Sequence, residues 1–399
     1  MKKFKMILAA VMVLPFFLAG CSPKTPNILN RSKAVVFYNR QPMDFDTQTA
    51  DLSALNWNKR SCYVGADPKG GELQGEMIVN YLKNSNLRKL DRNGDGFLGY
   101  VLCIGDSSHI DSINRTTGVR QKLNTWNGSA SPTIKKEGGI KQPNGKTFKI
   151  VELAAREMTG SDGTPWNAEA AKSAMNDWIN AFGTAIDFVV CNNDGMALSC
   201  ITAAGFDSQI PVFGFDALPQ TLDAIEEGLI SGTISQNTDS QAAALCQLLR
   251  NFMEGDTLEE AKVLGFSQRD SYGNQLSSVC RFDEQTHSFY AASKIVTKEN
   301  LDEFRENQHE PDIKQIAGDE KKVLLTLFNA NDAFLKNDYM QALNYYGKLL
   351  NIDFTIVAGD GQNEQSCLNK FTKLDNYDGF AINLVKTTNA SLYTDKLKE

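Results

Sequence analysis

Ile186-Asp-Phe-Val-Val-Cys-Asn-Asn-Asp194 is a short apolar run that ends in three polar residues. Pro211-Val-Phe-Gly-Phe-Asp216 follows it in the chain with the same arrangement, an apolar run closed by an aspartate. Apolar runs of about four to eight residues are typical of strands that are buried on both faces of a parallel sheet. The two segments therefore predict an α/β fold whose strands end in polar side chains.

The same alternation of short apolar runs and longer amphipathic segments extends outward along the chain. It is typical of parallel α/β sheets, and the strands are too many for one comfortable sheet, so we expect two doubly wound lobes. Ligands of such folds bind beyond the carboxyl ends of the strands. The strand candidates are 34–39, 97–104, 148–153, 186–191, 211–215, 323–328, 354–358 and 379–384, and the helix candidates are 71–87, 110–123, 168–182, 219–227, 240–253 and 333–350.

Residues 306–321 interrupt the alternation, because they are polar, contain Pro311 and Gly318, and show no apolar period. We interpret them as a linker. More strand–helix units follow at 322–399, and these 78 residues hold three strand candidates. So short a segment cannot easily cover both faces of a parallel sheet by itself. We therefore expect it to complete one of the two lobes.

The first 20 residues have the composition of a secretory signal. Lysines at positions 2, 3 and 5 precede an apolar run, 6–17, which is shorter than the roughly 20 residues that span a bilayer. Leu18-Ala-Gly-Cys21 resembles the bacterial lipoprotein box, in which the cysteine is acylated and the bond before it is cut. We expect a signal peptide at 1–20, a tether at 21–32 and a lipid anchor at Cys21. The alternative is a plain secretory signal followed by an ordinary cysteine.

Composition narrows the choice of partners. The chain has 399 residues and a formal charge of −7, which becomes about −10 when the signal and its three lysines are removed. An acidic surface argues against nucleic acid or anionic lipid headgroups as partners. Of the eight cysteines, seven remain beside Cys21, an odd number without a Cys-x-x-Cys pair. We expect these seven to be buried free thiols and not a disulfide framework.

Polar side chains follow five of the strand candidates. Each of them alone is explained as a helix N-cap, but together they offer carboxylates, amides and one guanidinium, a set that suits the hydroxyls of a neutral polyol. Trp166 and Phe334 could cover the apolar faces of a sugar ring, although a lone aromatic residue more often belongs to the core. The polar residues are Asn39, His109, Asp111, Arg115, Asn192, Asn193, Asp194, Asp216, Asn331 and Asp332.

A second motif has the spacing of a metal loop. Asp91-Arg-Asn93-Gly-Asp95-Gly96 presents oxygen ligands at positions 1, 3 and 5 and glycine at position 6, as in the front of an EF-hand-type calcium loop. Leu102 stands at position 12, where an acidic residue is usual, so a calcium site must complete itself from elsewhere. The alternative is an Asx-rich turn without metal.

These segments together resemble the periplasmic galactose/glucose-binding proteins of sugar ABC transport, a group of type I periplasmic binding proteins. The resemblance covers nearly all of 33–305 and 322–396. It is carried by the calcium-type loop and by Val35-Val-Phe-Tyr-Asn39, His109-x-Asp111-x-x-x-Arg115, Asn192-Asn-Asp194, Ile210-Pro-Val-Phe-Gly-Phe-Asp-Ala-Leu-Pro219 and Ala381-Ile-Asn-Leu-Val385. In the family the part similar to 322–396 comes first, so the resemblance implies that this chain is a circular permutant.

The resemblance also implies a division into lobes. Lobe one would combine 33–66, 238–288 and 322–399, and lobe two would combine 67–237 and 289–305. Residues 306–321 would join the ancestral termini. Three crossings between the lobes would form a hinge, whose closure traps the ligand.

The resemblance implies a site for one monosaccharide. Asp332 falls where the family binds the 4-hydroxyl region, and Phe334 and Trp166 fall where it sandwiches the ring. Gln236 replaces an asparagine of the family, which leaves its contact open. The implied sugar-binding residues are Asp332, Phe334, Asn39, His109, Asp111, Arg115, Trp166, Asn193, Asp216 and Gln236.

The resemblance implies a structural Ca²⁺ as well. Asp187 falls at the distant acidic ligand, whereas Gly99 stands where the family has a glutamine ligand, so one side-chain oxygen is lost. The implied metal ligands are Asp91, Asn93, Asp95, the carbonyl of Phe97, and Asp187.

The function expected from this resemblance is capture of glucose, galactose or both by a periplasmic lipoprotein. We expect a monomer that serves an inner-membrane ABC permease, with a chemoreceptor as a further partner. The alternatives are another monosaccharide or a mainly sensing role in chemotaxis. An enzyme is disfavoured, because the chain has no Gly-x-Ser-x-Gly motif and only three histidines for general acid–base chemistry.

Overall fold

The computed structural model describes residues 33–128, 140–141, 147–276, 280–305, 309, 313–332 and 334–398. The expected signal peptide at 1–20, the tether at 21–32 with its Cys21, and much of the first half of the expected linker lie outside the described residues. The predicted lipid anchor therefore stays a prediction.

Within the described ranges the strands and helices alternate along most of the chain. The strands are β1 (Ala34–Tyr38), β2 (Ser61–Ala66), β3 (Phe97–Ile104), β4 (Ile140–Lys141), β5 (Thr147–Glu157), β6 (Phe188–Cys191), β7 (Val212–Phe213), β8 (Thr233–Ser235), β9 (Cys280–Asp283), β10 (Ser288–Ala291), β11 (Lys294–Val296), β12 (Lys321–Leu327), β13 (Ile352–Ala358) and β14 (Gly379–Ile382). The helices are α1 (Leu52–Leu55), α2 (Gly70–Asn84), α3 (Leu87–Leu90), α4 (Ile110–Trp126), α5 (Ala168–Phe182), α6 (Asp194–Cys200), α7 (Pro219–Glu226), α8 (Thr238–Glu254), α9 (Leu258–Ala261), α10 (Asp302–Arg305), α11 (Met340–Leu349), α12 (Glu364–Leu368) and α13 (Ala390–Lys396).

The sheet of lobe one contains strands from both ends of the described chain. Its order is β13-β12-β14-β1-β2-β10-β9, and every pair of neighbours is parallel except β10 and β9. Ala34 lies opposite Gly379, which in turn lies opposite Val323 on its other side. The C-terminal strands therefore complete the sheet to which β1 and β2 belong, and one apolar core joins them.

The sheet of lobe two has the order β4-β5-β3-β6-β7 and is parallel except between β4 and β5. Successive residues of β3 point to opposite faces, so Val101 and Cys103 belong to one core and Tyr100 and Leu102 to the other. Both faces are thus covered, as a parallel sheet requires. The predicted class of two doubly wound α/β lobes is confirmed.

The strand order of lobe one matches a known order of doubly wound sheets when the strands are numbered from β12. The strands β12, β13, β14, β1 and β2 then lie in the spatial order 2-1-3-4-5, which is the flavodoxin-like order of doubly wound sheets. The carboxyl ends of β12 and β1 therefore face the ligand edge of the same sheet. This edge carries Asp332 beyond the end of β12 and Asn39 beyond the end of β1.

The chain passes between the two sheets after β2, after β8 and after β10, and it returns to lobe one between α10 and β12. The crossing after β10 differs from the sequence expectation, which placed the start of the final lobe-two segment at residue 289. Phe289 and Ala291 still pair with Val64 and Ala66 of lobe one, whereas Lys294 begins the strand that pairs with β8. The local sequence gave no sign of this, because β10 is held by a hairpin partner, β9, and by a distant strand.

The cysteines behave as expected. None of the seven cysteines in the described ranges forms a disulfide, and all except the half-buried Cys280 are buried. None of the helices in the described part of the chain combines the length and the apolar character that a bilayer span needs.

Candidate ligand-binding cleft

A cavity of about 50 Å³ lies between the two lobes at the carboxyl ends of the strands. The structure brings all ten predicted ligand residues to its wall, from the segments that follow seven different strands. Arg40 and Phe328 line it as well, although the sequence analysis did not single them out. The wall consists of Asn39, Arg40, Phe328, Asp332 and Phe334 from lobe one and of His109, Asp111, Arg115, Trp166, Asn193, Asp216 and Gln236 from lobe two.

The polar groups of lobe one are held in place by their own helix and sheet. Asp332 Oδ1 accepts a 2.9 Å hydrogen bond from the backbone N–H of Leu335, so this carboxylate caps the helical segment that follows. The side-chain Nδ2 of Asn383 donates to Asn39 Oδ1 at 3.0 Å and to the carbonyl of Tyr38 at 3.2 Å. Both ligand candidates are therefore oriented before any ligand arrives.

His109 begins helix α4 and faces the cavity as a neutral ring. Its Nδ1 accepts the backbone N–H of Asp111 at 3.1 Å, so the proton of the neutral imidazole lies on Nε2. Burial, and then the positive charges of Arg40 and Arg115, hold the pKa of His109 well below its usual range. The ring can therefore donate one hydrogen bond from Nε2 without carrying a charge.

Arg115 is the centre of an ion-pair network in lobe two. Its Nη1 donates to the carbonyl of Asn192 at 2.7 Å and lies 3.4 Å from Asp216 Oδ1, and its Nη2 lies 4.0 Å from Asp111 Oδ2. Gln236 Nε2 donates to the same oxygen of Asp216. Burial raises the pKa of Asp216 and of Asp111, and Arg115 opposes both shifts. Hydroxyl groups that donate to these carboxylates would favour their ionised forms further.

Asn193 is positioned by the helix that it caps. Its Oδ1 accepts the N–H of Met196 at 2.8 Å, which leaves Nδ2 as a donor on the cavity side. The preceding residue, Asn192, is fully buried, and its Oδ1 accepts from Gly105, Ser112 and Thr116. This buried amide ties the ends of β3 and β6 to helix α4 and so fixes the spacing of the ligand groups.

Two aromatic side chains flank the cavity from opposite lobes, Phe334 and Trp166. The indole of Trp166 meets the ring of His109 edge-on at 5.7 Å, and the guanidinium carbon of Arg115 lies 5.4 Å from the centre of the indole. Faces of Trp and Phe are suited to the C–H surfaces of a sugar ring. The pair therefore supplies the apolar part of a site that is otherwise polar.

Arg40 and Phe328 were missed, yet both follow the rule that identified the others. Phe328 directly follows β12 and Arg40 stands two residues after the end of β1. The guanidinium carbon of Arg40 lies 3.7 Å above the ring of Phe328, and Nη1 donates to the carbonyl of Val385 at 2.7 Å. Burial lowers the pKa of Arg40, and the carboxylates of Asp106 and Asp332 oppose this shift. A search of every polar or aromatic residue next to a strand end would have found both.

Backbone strain gathers around the cavity. Asn39, Trp166 and Asp216 have φ angles of 59°, 58° and 125°, and the neighbouring residues Ala217 and Asn237 have 60° and 54°. Positive φ is costly for residues other than glycine and persists only where the surroundings impose it. These strained backbone conformations lower the stability of the fold, and they orient the side chains toward the cavity.

The predicted calcium loop has the turn geometry that such a loop needs. Gly94 and Gly96 have φ angles of 73° and 83°. Asp91 accepts the backbone N–H groups of Asp95 and Gly96, and Asp187 accepts those of Arg92 and Gly99 at 3.0 and 2.7 Å. The oxygens of Asp91, Asp95 and Asp187 do not all lie within 4.8 Å of one another, since among the described residues only Cys103, Cys191 and Cys200 form a group that close. A cation would have to draw the carboxylates together.

Two segments of the chain match models of known protein families, each in a separate match. A family model described as a periplasmic binding protein domain matches residues 31–257, and a second model with the same description matches residues 320–390. The D-galactose/methyl-galactoside-binding periplasmic protein of Haemophilus influenzae is 30% identical over 242 residues, which are 59% of this chain and 62% of that protein. A xylitol-binding protein of Mycolicibacterium smegmatis is 30% identical over 125 residues, 31% of this chain and 36% of that protein.

The chain thus spans less than two thirds of the length of these curated relatives. Two solved structures are also similar. An ABC transporter solute-binding protein from Clostridium phytofermentans with bound β-D-glucose is 21% identical with a TM-score of 0.43, over 68% of this chain and 70% of that one. A myo-inositol-binding protein of Caulobacter is 22% identical with a TM-score of 0.42, over 68% and 67% of the two chains.

Proposed function

The chain belongs to the family of periplasmic binding proteins, and from that premise we propose that it captures glucose, galactose or both between its lobes. The bound sugar would then be delivered to the membrane permease of an ABC transporter. No step of this function requires chemistry on the sugar, so the protein acts by binding and not as an enzyme. The closed form would also present a surface that a chemoreceptor could recognise.

The observation that carries this proposal is the convergence of polar groups from both lobes on one cavity. Asp332 and Asn39 from lobe one face Asp111, Asn193 and Asp216 from lobe two. Carboxylates accept from hydroxyls, amides both donate and accept, and aromatic faces cover the C–H surfaces of a pyranose. A ligand that satisfies both lobes at once favours the closed arrangement, because it gains those contacts only there.

A second candidate is another monosaccharide or polyol held in the same cavity. It is favoured by one departure from the family pattern, Gln236, whose side chain is already committed to Asp216. A longer amide at this position narrows the cavity beside Asp216 and could change which hydroxyl arrangement fits.

Isothermal titration calorimetry with glucose, galactose, ribose, xylitol and myo-inositol separates these candidates. The protein should begin after Cys21, so that no acyl chain is attached. We expect binding of glucose or galactose, no heat with ribose, and loss of binding in Trp166→Ala. Binding of ribose or of a polyol in place of both hexoses would overturn the hexose assignment.

We also propose a structural calcium ion at the loop 91–99. The residues that would hold it are Asp91, Asn93, Asp95, the carbonyl of Phe97, and Asp187. Burial, together with the negative charges of Asp91 and Asp95 and against the backbone donors that Asp187 accepts, raises the pKa of Asp187 to about 7. A bound cation relieves this kind of repulsion and favours the ionised form. The donor set therefore fits calcium, which prefers several oxygen ligands.

The permutation and the anchor are proposals as well. The strand order of lobe one and the two separate family matches support a chain in which the ancestral first part now comes last. Family membership implies a periplasmic location, and an acylated Cys21 would hold the protein at the membrane by a tether that leads directly into β1. Incorporation of radiolabelled palmitate that disappears in Cys21→Ala would support the anchor, and labelling that persists would exclude Cys21 as its site.

A further inference from the structure

A second cavity opens beside the first one. It has a volume of about 280 Å³, and its wall includes Arg40 and His109, which also line the inner cavity. We call this second cavity the outer chamber and define it by Arg40, His109, Asp106, Glu157, Thr159 and Lys386. Because the two cavities share wall residues, a substituent on a ligand in the first could extend directly into the second.

The outer chamber is bounded on its outer side by a contact between the lobes. Gln362 of lobe one donates from Nε2 to the carbonyl of Asp162 of lobe two at 2.8 Å. Gly361 and Gly163, the neighbours of these two residues, also line the chamber. The outer chamber is therefore an open cleft whose rim is bridged at one point, and its wall residues Glu157, Thr159 and Lys386 are exposed to solvent.

Arg40 offers an unused donor between the two cavities. The side chain is 3% exposed, and its Nε has no hydrogen-bond partner among the described residues, although Nη1 donates to Val385. A buried donor without a partner costs free energy. Because Nε itself is covered, a ligand oxygen would remove this cost only if the guanidinium, which lines both cavities, turned toward it.

The remaining wall has the chemistry of a polyol site without a stacking platform. Asp106 and Glu157 offer carboxylates, Thr159 a hydroxyl and Lys386 an ammonium group, while no Trp, Tyr or Phe of the described residues lines the chamber. The two carboxylates offset the charges of Arg40 and Lys386, so the chamber does not favour an anionic group. A neutral, hydroxyl-rich group fits best and would be held by hydrogen bonds alone.

We propose that the outer chamber is a second saccharide subsite, and that the ligand class of this protein includes hexoses that carry a second sugar unit. The proposal rests on the function proposed above, since it places the first ring in the inner cavity. The second unit passes Arg40 and His109 and occupies the chamber. Because no aromatic side chain stacks on the second unit, this unit adds little to the affinity, and the subsite accepts disaccharides with more than one type of glycosidic linkage.

Calorimetry with glucose, galactose, lactose, melibiose and maltose tests this proposal. At least one disaccharide should bind with a dissociation constant within about tenfold of the better monosaccharide, since the inner ring supplies most of the contacts. Thr159→Trp places an indole in the chamber from an exposed position that follows β5. It should raise the dissociation constant of that disaccharide by about tenfold or more and leave the dissociation constant of the monosaccharide unchanged within about twofold. Thr202→Trp makes the same change at an exposed site of lobe two away from both cavities, and it should alter neither affinity.

The outcomes separate the two proposals. Tight monosaccharide binding with no binding of any disaccharide would overturn the second subsite and leave the proposed function standing. Equal disaccharide affinity in the wild type and in Thr159→Trp would also overturn it, because the second unit would then lie elsewhere. Absence of binding for every sugar would overturn the proposed function itself.

Discussion

Gly105 and Trp166 are so close that no side chain fits at position 105: a Cβ there would lie 2.2 Å from Cε3 of the indole. Gly105 directly follows β3, and its N–H donates to the buried amide of Asn192 at 3.2 Å. The backbone of lobe two thus forms the surface against which the indole rests. The position of the aromatic wall of the cavity depends on a missing methyl group.

Gly105→Ala should therefore move Trp166 and weaken hexose binding. We expect about a tenfold or larger increase in the dissociation constant, because a displacement of a positioning group by about 1 Å is costly. Calorimetric titration measures it. Gly195→Ala is the matched control, since a Cβ there meets its nearest neighbour only at 3.8 Å and alanine is favourable in a helix. Unchanged affinity in Gly105→Ala would show that the indole does not contact the sugar.

Two substitutions at Asp332 separate its capping role from its role toward the ligand. Asp332→Ala removes both the N-cap to Leu335 and the carboxylate, so we expect loss of sugar binding together with about 1 kcal/mol of stability. Asp332→Asn keeps a capping oxygen and should retain most of the stability, while binding weakens by about tenfold or more because a charged acceptor is lost. Chemical denaturation and calorimetry measure the two effects. Full sugar affinity in the asparagine variant would exclude a charged contact.

Removal of calcium should lower stability without emptying the sugar site. The loop 91–99 ends in β3 at the edge remote from the cavity, so we expect a chelator to reduce the melting temperature while hexose affinity stays within about threefold. Asp95→Asn, at an exposed ligand position, should reduce the effect of the chelator. Purified protein without bound metal and without a chelator-induced change in melting temperature would falsify the calcium assignment.

The effect of calcium should grow with pH. The pKa of Asp187 is raised to about 7, whereas an unfolded aspartate has a pKa of about 3.9. Between these values the native state binds the extra proton, so without metal this group makes the free energy of unfolding fall as the pH rises. Calcium competes with that proton and restores the stability. The difference in melting temperature between calcium and chelator, measured by calorimetry from pH 5 to 8, should therefore increase toward pH 8, and a difference that stays constant would contradict this assignment.

Restoring the ancestral order of segments should leave the site intact. A chain in which residues 313–398 precede residues 33–305, without the segment 306–312, keeps β14 beside β1, every strand neighbour of lobe one and the buried Ile313 and Ile316. We expect it to fold and to bind the same sugar within about threefold. A rearranged control that opens the chain inside β3 should not fold, because β3 is the strand between β5 and β6. A restored order that folds but no longer binds sugar would argue against the permutation.

Much of the site was predictable because the signal is local. Apolar runs mark buried strands, and the polar residues that close Phe188–Cys191 or Ala34–Tyr38 must lie at the carboxyl edge of a parallel sheet, where ligands bind. Arg40 and Phe328 obey the same rule, since they stand just after the ends of β1 and β12. The calcium-type loop was likewise readable from spacing, because its turns need glycine at fixed positions.

The β9–β10 hairpin and the late crossing after Ala291 were not predictable in this way. Cys280–Asp283 alternates weakly and has no apolar run, and β10 gains its place only by pairing with β2 some 220 residues earlier. Such pairing depends on which strand far away in the chain has an unpaired edge in the folded sheet. The local sequence pattern of β9 and β10 carries no information about that edge.

The sequence alone determined the two-lobed α/β class and the polar residues that close the strands, because both follow from periodicity. The full set of ten cleft residues and the place of the C-terminal segment in the first lobe came from the family resemblance that the same sequence carries. Only the tertiary structure decided how those residues face one another across the cleft, that Gly105 seats Trp166, and that Gln362 bridges to Asp162 over an outer chamber. These are contacts between segments far apart in the chain, and their geometry is set by the packing of two sheets and not by any local preference.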